Sequence, residues 1–315
     1  MPPPPPRSWI PGAEASAFPL ARLPLGVRRR PDGSHAACTR VGDRVADLRV
    51  LAEIGVYDDT GAPRTDFAQD SLNRLLARGE HVLAAVRSRT AACLDDDPNY
   101  WDLRRRAEIF LLPHDRIRAL LPVDPGDYTR LAPAPDAEQP RLREARAAHL
   151  LVEGGPGAER ADGFGGAREL RGRLGLGLVL GSAGDGPFAY GVVGLTDWWP
   201  AGKTPPDELD PGRRTLVSAW LTPLEAYGGG DVPLVARLRG GGHVDEGEVT
   251  RTRLGRPPTD ALSGGLRATG TRTRAGDLYG LAGARLDPPA DVWIAEDLPR
   301  VRADAWATTA VSRPA

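Results

Sequence analysis

Lysine is almost missing from this chain. Among its 315 residues only Lys203 carries an ammonium side chain, so nearly all of the positive charge is arginine, and any lysine-dependent chemistry must use that one position. Cysteine is nearly as scarce. Cys38 and Cys93 are too few for a disulfide framework and neither stands in a Cys-x-x-Cys spacing, so a reducing compartment, the cytoplasm, is the expectation. No run of about 18 apolar residues occurs, which leaves no candidate membrane-spanning helix. Residues 2–6 are all proline where a secretory signal would need a charged and then an apolar stretch, so no secretory address is read. Neither sign of charge is in surplus: 41 basic against 42 acidic residues give a net charge of -1, which argues against a nucleic-acid footprint or a polybasic membrane anchor.

What the chain does have is a 41% hydrophobic fraction over a length that can bury a large core, in two compact units. Its many glycines (38) and prolines (31), with abundant Ala and Arg, fit a GC-rich bacterial coding sequence. Residues 1–7 read as a proline-rich tail of polyproline type. In residues 37–48 two β-prone runs flank Gly42-Asp43, a pair that supplies the positive φ of a tight hairpin. Leu72, Leu75, Leu76, Val82, Leu83 and Val86 recur at helical spacing over residues 71–90, predicting one or two amphipathic helices interrupted near Gly79. A second helical piece covers residues 101–110, and residues 120–131 read as extended. Beyond residue 150 the pattern becomes short β-like runs separated by glycine, at residues 174–180, 188–195, 215–222, 233–238 and 277–281. The Pro/Ala/Gly-rich tract 132–166 has the composition of a mobile segment.

Several runs together resemble the fumarylacetoacetases. They are Ser-Trp-Ile-Pro-Gly-Ala-Glu at 8–14, Phe-Pro-Leu at 18–20, Leu-Pro-Leu-Gly-Val at 23–27, Val-Gly-Asp at 41–43 and Phe-Ala-Gln-Asp-Ser-Leu-Asn at 67–73. Leu-Pro at 121–122 then leads into Gly-Asp-Tyr-Thr at 126–129. In the second half come Tyr-Gly-Val-Val at 190–193, Asp-Trp at 197–198, Val-Ser-Ala-Trp at 217–220 and Arg-Ala-Gly-Asp-Leu at 274–278. The order and rough spacing match end to end, although loop material is shorter after Tyr128 and near Asp197. The resemblance implies an α+β, β-rich fold: an N-terminal SH3-like β-barrel domain with helices over residues 8–118, then a mixed β-roll domain over 119–315, usually as a homodimer. It also implies hydrolysis of a carbon–carbon bond in a β-diketone, with carboxylates holding Mg²⁺ or Ca²⁺, a His–Glu pair activating water and a lysine supporting the carbanion.

Matched position by position, this chain departs from that pattern. The first metal carboxylate of the family, in a Gly-Asp-Tyr-Thr-Asp run, corresponds to Arg130. The next two, glutamates two apart on one strand, correspond to Arg173 and Gly175; only Asp197 keeps a ligand. No histidine follows Thr129 where the general base belongs. Arg213 lies nearest the position of the family lysine, but an arginine does not readily give up a proton. The family's Tyr-His-Gly-Arg turn keeps only its last residue, Arg146, and Glu296 is the one candidate for the partner glutamate. Two guanidiniums at former carboxylate positions would oppose a divalent ion by roughly several kcal/mol, taking an effective dielectric of about 20 and separations of about 4–8 Å. The expectation is therefore a site with no metal and no cofactor, in which Arg130 and Arg173 pair with Asp197 and receive an anionic or enolate oxygen. Tyr128, Arg146, Trp198 and Arg213 are expected to bind substrate; a structural ion pair in a decayed pocket is the competing reading, and Mg²⁺ or Ca²⁺ the alternative cofactor.

Other patterns carry less. Ala-Gly-Lys-Thr at 201–204 has the tail of a phosphate-binding loop but lacks the earlier glycine, so Lys203 reads as a loop lysine before a Schiff-base amine. Gly172, Gly175, Gly177 and Gly181 miss the dinucleotide spacing and suit close β packing. His243 to Glu248 reads as an exposed turn, and Trp198, Trp199 and Trp220 as core or as a ligand wall. The function expected is a step on a small carbonyl, enolate or carboxylate molecule, such as a cyclisation or isomerisation in bacterial specialised metabolism. A non-catalytic ligand-binding or scaffold protein is the alternative, and an active metal-dependent hydrolase the third reading.

Overall fold

A computed structural model of the chain describes residues 7–16, 18–96, 101–125, 128–132, 141–145, 150–152, 170–183, 186–200, 214–227, 233–238, 247–253, 274–281 and 285–286. The proline-rich tail, most of the 132–166 tract and Lys203 lie outside them.

The N-terminal part begins with β1 (Leu25–Arg29), β2 (His35–Val41) and β3 (Arg44–Asp47). Gly42, at φ 62°, turns β2 into β3 as the Gly-Asp pair predicts. Asp47 ends β3 and starts α1 (Leu48–Glu53), because its carboxylate accepts the Val50 amide at 3.1 Å. The helical repeat that follows is cut where expected: α2 (Asn73–Leu76) and α3 (Glu80–Leu94) are separated at Gly79, φ 91°. Leu75, Leu76, Leu83 and Val86 are buried while Val82 is half-buried. α4 (Trp101–Arg105), β4 (Leu111–Pro113) and β5 (Arg118–Leu120) complete this part. Its sheet runs β4-β3-β2-β1-β5. With β4 and β5 as edges the described strands form an open sheet, in place of the closed SH3-like barrel anticipated; no described residues pair those two edges.

The remaining strands are β6 (Tyr128–Ala132), β7 (Arg141–Ala145), β8 (Leu150–Val152), β9 (Leu170–Ala183), β10 (Gly186–Pro200), β11 (Arg214–Val217), β12 (Thr222–Pro223), β13 (Pro233–Leu238), β14 (Gly247–Arg253), β15 (Leu278–Leu281) and β16 (Arg285–Leu286). Most join one sheet in the order β7-β6-β15-β9-β10-β11-β8, with β12 on β10 and β16 on β9, while β13 and β14 pair with each other. The long β9–β10 hairpin is its spine; the β-like runs 174–180, 188–195 and 233–238 fall on strands, 277–281 does so from Leu278, and 215–222 is split between β11 and β12 by irregular backbone at 218–220. The chain is thus a mixed α/β, sheet-rich protein.

Close packing explains two of the strand glycines. A Cβ on Gly177 would lie 2.5 Å from Leu278 Cδ1, and one on Gly181 2.3 Å from the Phe188 ring. The two sheets share one core: Leu25, Val27, Leu75 and Leu83 cluster with Val179, Val193, Leu195, Val217 and Leu278. Leu25 and Leu221 seal the junction with reciprocal backbone hydrogen bonds of 2.8 and 2.7 Å. Beside it Trp220 packs edge-on to Phe18 at 6.2 Å, under the Arg40 guanidinium, which sits 4.1 Å above the Phe18 ring. Trp220 is therefore a core residue. Among the described residues no helix is long and apolar enough to cross a membrane.

Candidate functional site

The β9–β10 ladder sets the site. From Val179 toward the start of β9 the antiparallel register pairs Gly177 with Val193, Gly175 with Leu195 and Arg173 with Asp197. Since successive residues of a strand alternate faces, positions 179, 177, 175 and 173 share one face with 193, 195 and 197. Val179, Val193 and Leu195 on that face are buried in the common core. Toward the ladder's open end the same row of positions changes from aliphatic to ionic at Arg173 and Asp197.

β15 carries the register outward. Gly280 lies opposite Gly177 on one side and Arg130 of β6 on the other, and Leu278 lies opposite Val179 and Tyr128. Tyr128 and Arg130 therefore occupy the same face as Arg173 and Asp197. They do not occupy the same row: two strands and four residues separate positions 130 and 173, or roughly 10 Å across the sheet and roughly 13 Å along it if flat. Trp198 pairs with Gly172 and falls on the opposite face from Asp197, whereas Trp199, opposite Arg171, shares it. Arg146 and Arg213 lie outside the described residues, as does Glu296; Arg214, next to Arg213, opens β11 opposite Trp198.

Two arginines in these rows were not singled out from sequence. Arg143 on β7 stands opposite Arg130, and Arg285 on β16 stands opposite Arg173. Their sequence settings are unremarkable, so the ladder pairing alone identifies them.

The donor set at the family's carboxylate positions is one aspartate, two arginines and one glycine, which does not fit a divalent cation: hard ions take several oxygen ligands, and guanidiniums supply none. Among the described residues no group of three or more His, Cys, Asp and Glu is gathered as ligands would be. Cysteine chemistry also fails. Both thiols are buried, and burial pushes Cys93 up to about 12 and Cys38 still higher, so neither is a thiolate at neutral pH. A cavity of about 10 Å³ between Leu25, Val86, Thr90 and Tyr190 has room for a single water and no substrate.

Behind the ladder, described polar groups hold the backbone. Ser218 Oγ accepts the Gly194 amide at 3.2 Å and donates to the Trp220 carbonyl at 2.9 Å, locking the exit of β11 to β10. Asp277, buried before β15, accepts the Arg274 amide at 2.7 Å. Asn73 accepts the Asp124 amide at 3.1 Å and donates to its carbonyl at 2.6 Å, which fixes the approach to β6. On Gly276 a Cβ would fall 2.4 Å from Asn73 Oδ1.

Comparison with known proteins matches residues 21–122 to the family model described as fumarylacetoacetase N-terminal. A fumarylacetoacetase from Oryza sativa subsp. japonica is 30% identical over 130 residues, covering 39% of this chain and 30% of that protein. One from Dictyostelium discoideum is 29% identical over 125 residues, covering 39% and 29%. The chain thus spans under a third of the length of the curated relatives it matches. Of solved structures, a putative HpcE protein from Mycobacterium smegmatis superposes with a TM-score of 0.50 at 13% identity, over 84% of this chain and 87% of that one, a similarity of fold. Residues 21–122 thus match the fumarylacetoacetase N-terminal family model, and the chain shares its fold with that solved structure.

Proposed function

We propose that this chain is a repurposed fumarylacetoacetase-fold protein that acts without a metal on a small carbonyl, enolate or carboxylate molecule. The step is non-hydrolytic, a cyclisation, isomerisation or other carbon–carbon bond change in bacterial specialised metabolism. One observation carries the reading: Arg173 stands directly opposite Asp197, at positions where the family resemblance implies carboxylates around a cation. Inverting the sign of that centre inverts its preferred guest. A guanidinium offers a planar fork of donors to an oxyanion, and donors fixed on a strand ladder stabilise charge that develops on an enolate oxygen without reorganising. Arg130, on the same face but in another row, meets a different part of the ligand, Asp197 orients Arg173, and Tyr128, Trp198, Arg146 and Arg213 contribute to binding. We further take residues 8–118 and 119–315 as the two domains, the first related to an SH3-like barrel, and the assembly as a cytoplasmic homodimer.

Calorimetric titration with Mg²⁺, Ca²⁺ and Mn²⁺ tests the central point. The expected result is no stoichiometric tight binding; a tight site for any of the three ions overturns the reading. The directly opposed Arg173 and Asp197 also suit a purely structural ion pair, which favours a non-catalytic ligand-binding or scaffold role as the second reading. Deleting the gene separates the two, since loss of an enzyme leaves one accumulating precursor and loss of a scaffold gives a graded fall in product.

A further inference from the structure

Two neighbouring strands of the large sheet enter it beside the same side chain. β6 and β15 run parallel, with position 128 opposite Leu278 and position 130 opposite Gly280, and each has a short approach, residues 122–125 before β6 and 274–277 before β15. The β15 approach is tied to β9: the Gly276 amide donates to the Leu180 carbonyl at 2.8 Å, and the Leu180 amide donates to the Asp277 carbonyl at 3.0 Å. The β6 approach is tied to α2 instead. The Leu72 amide donates to the Pro122 carbonyl at 2.9 Å, and the Asn73 carboxamide takes both main-chain groups of Asp124, donating from Nδ2 at 2.6 Å and accepting at Oδ1 at 3.1 Å. A carboxamide sets a donor and an acceptor side by side as a peptide does, so Asn73 pairs with Asp124 as a strand neighbour would. The same carboxamide abuts Gly276: a Cβ there would fall 2.4 Å from Oδ1 and 2.5 Å from Nδ2, and glycine alone readily holds the φ of 93°. Asn73 therefore meets both approaches at once.

We infer that Asn73 is a positioning residue: it sets the start of β6 against the start of β15, and so fixes the register that places position 130 on the face shared with positions 173 and 197. This deepens the metal-free reading by naming what holds position 130, and it rests on that reading only for the part position 130 plays. A slip of β6 by one residue would carry positions 128 and 130 to the opposite face. Glycine-rich strands specify register weakly, and β15 and β9 meet here at Gly280 and Gly177, so a clamp at the strand entries supplies what the ladder lacks.

Hydrogen exchange of the full chain, read by mass spectrometry on peptides spanning 128–132 and 278–281, tests this, with thermal unfolding of each variant as the folding control. Wild type is expected to protect both strands. Asn73→Ala should speed exchange about tenfold or more in those two segments while β1, β2 and β10 stay unchanged. Asn73→Asp, which keeps the acceptor and loses the donor, should do so by less, and Arg74→Ala, at the exposed next position, not at all. Gly276→Ala displaces the carboxamide, so adding Asn73→Ala to it should add little. Folded Asn73 variants with wild-type exchange in both segments, or with a rise spread evenly over every strand, overturn the role of Asn73 and leave the metal-free reading standing. Unprotected exchange of the two segments in wild type overturns it as well. A tight Mg²⁺ isotherm overturns the metal-free reading and leaves the role of Asn73 standing.

Discussion

Asp47 does two jobs from a side chain that is only 1% exposed. Its Oδ1 caps α1 at the Val50 amide, and its Oδ2 takes the Arg28 Nε at 3.0 Å in a pair with its partner 9% exposed. Removing one member of so buried a pair strands the other charge, so Asp47→Ala is expected to cost about 3–5 kcal/mol in urea unfolding, more than the loss of a cap alone. Cys93 is expected to make the protein alkali-sensitive. Burial raises its thiol from 9.0 to about 12, so its contribution is intact below pH 9 and is lost progressively as the pH rises toward 12, where the unfolded chain releases a proton the folded one keeps. Urea midpoints at pH 8 and pH 10 should show the fall, and Cys93→Ala should reduce it. At pH 8 both thiols should resist a thiol-specific reagent until the chain is unfolded. At Gly177 there is no room for even a methyl group: Gly177→Ala pushes a Cβ against Leu278 and Val193 and is expected to lower the unfolding temperature by several degrees, overpacking that costs about 1–3 kcal/mol.

At the scale of elements, the join between α2 and α3 is the test of local logic. Gly79 stands at φ 91°, so Gly79→Ala strains the backbone just where α3 begins and should cost about 1–2 kcal/mol, measurable by urea unfolding. This turn, the Gly42 hairpin and the β9–β10 runs were readable from sequence because each depends on neighbours a few residues away: a glycine forced to positive φ, an apolar repeat, a β-prone run. The row Arg285, Arg173, Asp197 was not. Its members come from three strands whose pairing is set by long-range packing, and no local pattern marks Arg285. Arg173 and Asp197 were singled out only through the family resemblance, and the ladder register sets the two positions opposite each other. The open N-terminal sheet shows the same limit: the hairpin around Gly42 was legible, the five-strand order and its open edges were not, since they depend on which edges meet.

Across the whole molecule the two sheets behave as one body. Arg87 on α3 donates to the Arg22 carbonyl at 2.7 Å and pairs with Glu225 at 2.7 Å, linking the entry to β1 with the turn after β12. Being partly exposed, the Arg87–Glu225 pair is expected to contribute little, under about 1 kcal/mol, so Glu225→Gln should leave the unfolding midpoint nearly unchanged. The apolar contacts around Leu195 and Val217 hold the halves together, and a single cooperative unfolding transition by both fluorescence and circular dichroism is the expected behaviour. The backbone bridge between Leu25 and Leu221 has a kinetic consequence. Its two ends are separated by about 200 residues of chain, and a contact so distant along the sequence costs loop-closure entropy before it returns any bonding. During synthesis β1 must wait, with the face that Trp220 will cover still wet, until β12 has left the ribosome. Folding of the first half is thus timed by the second, and the interval between them is when this protein is most exposed to misassembly.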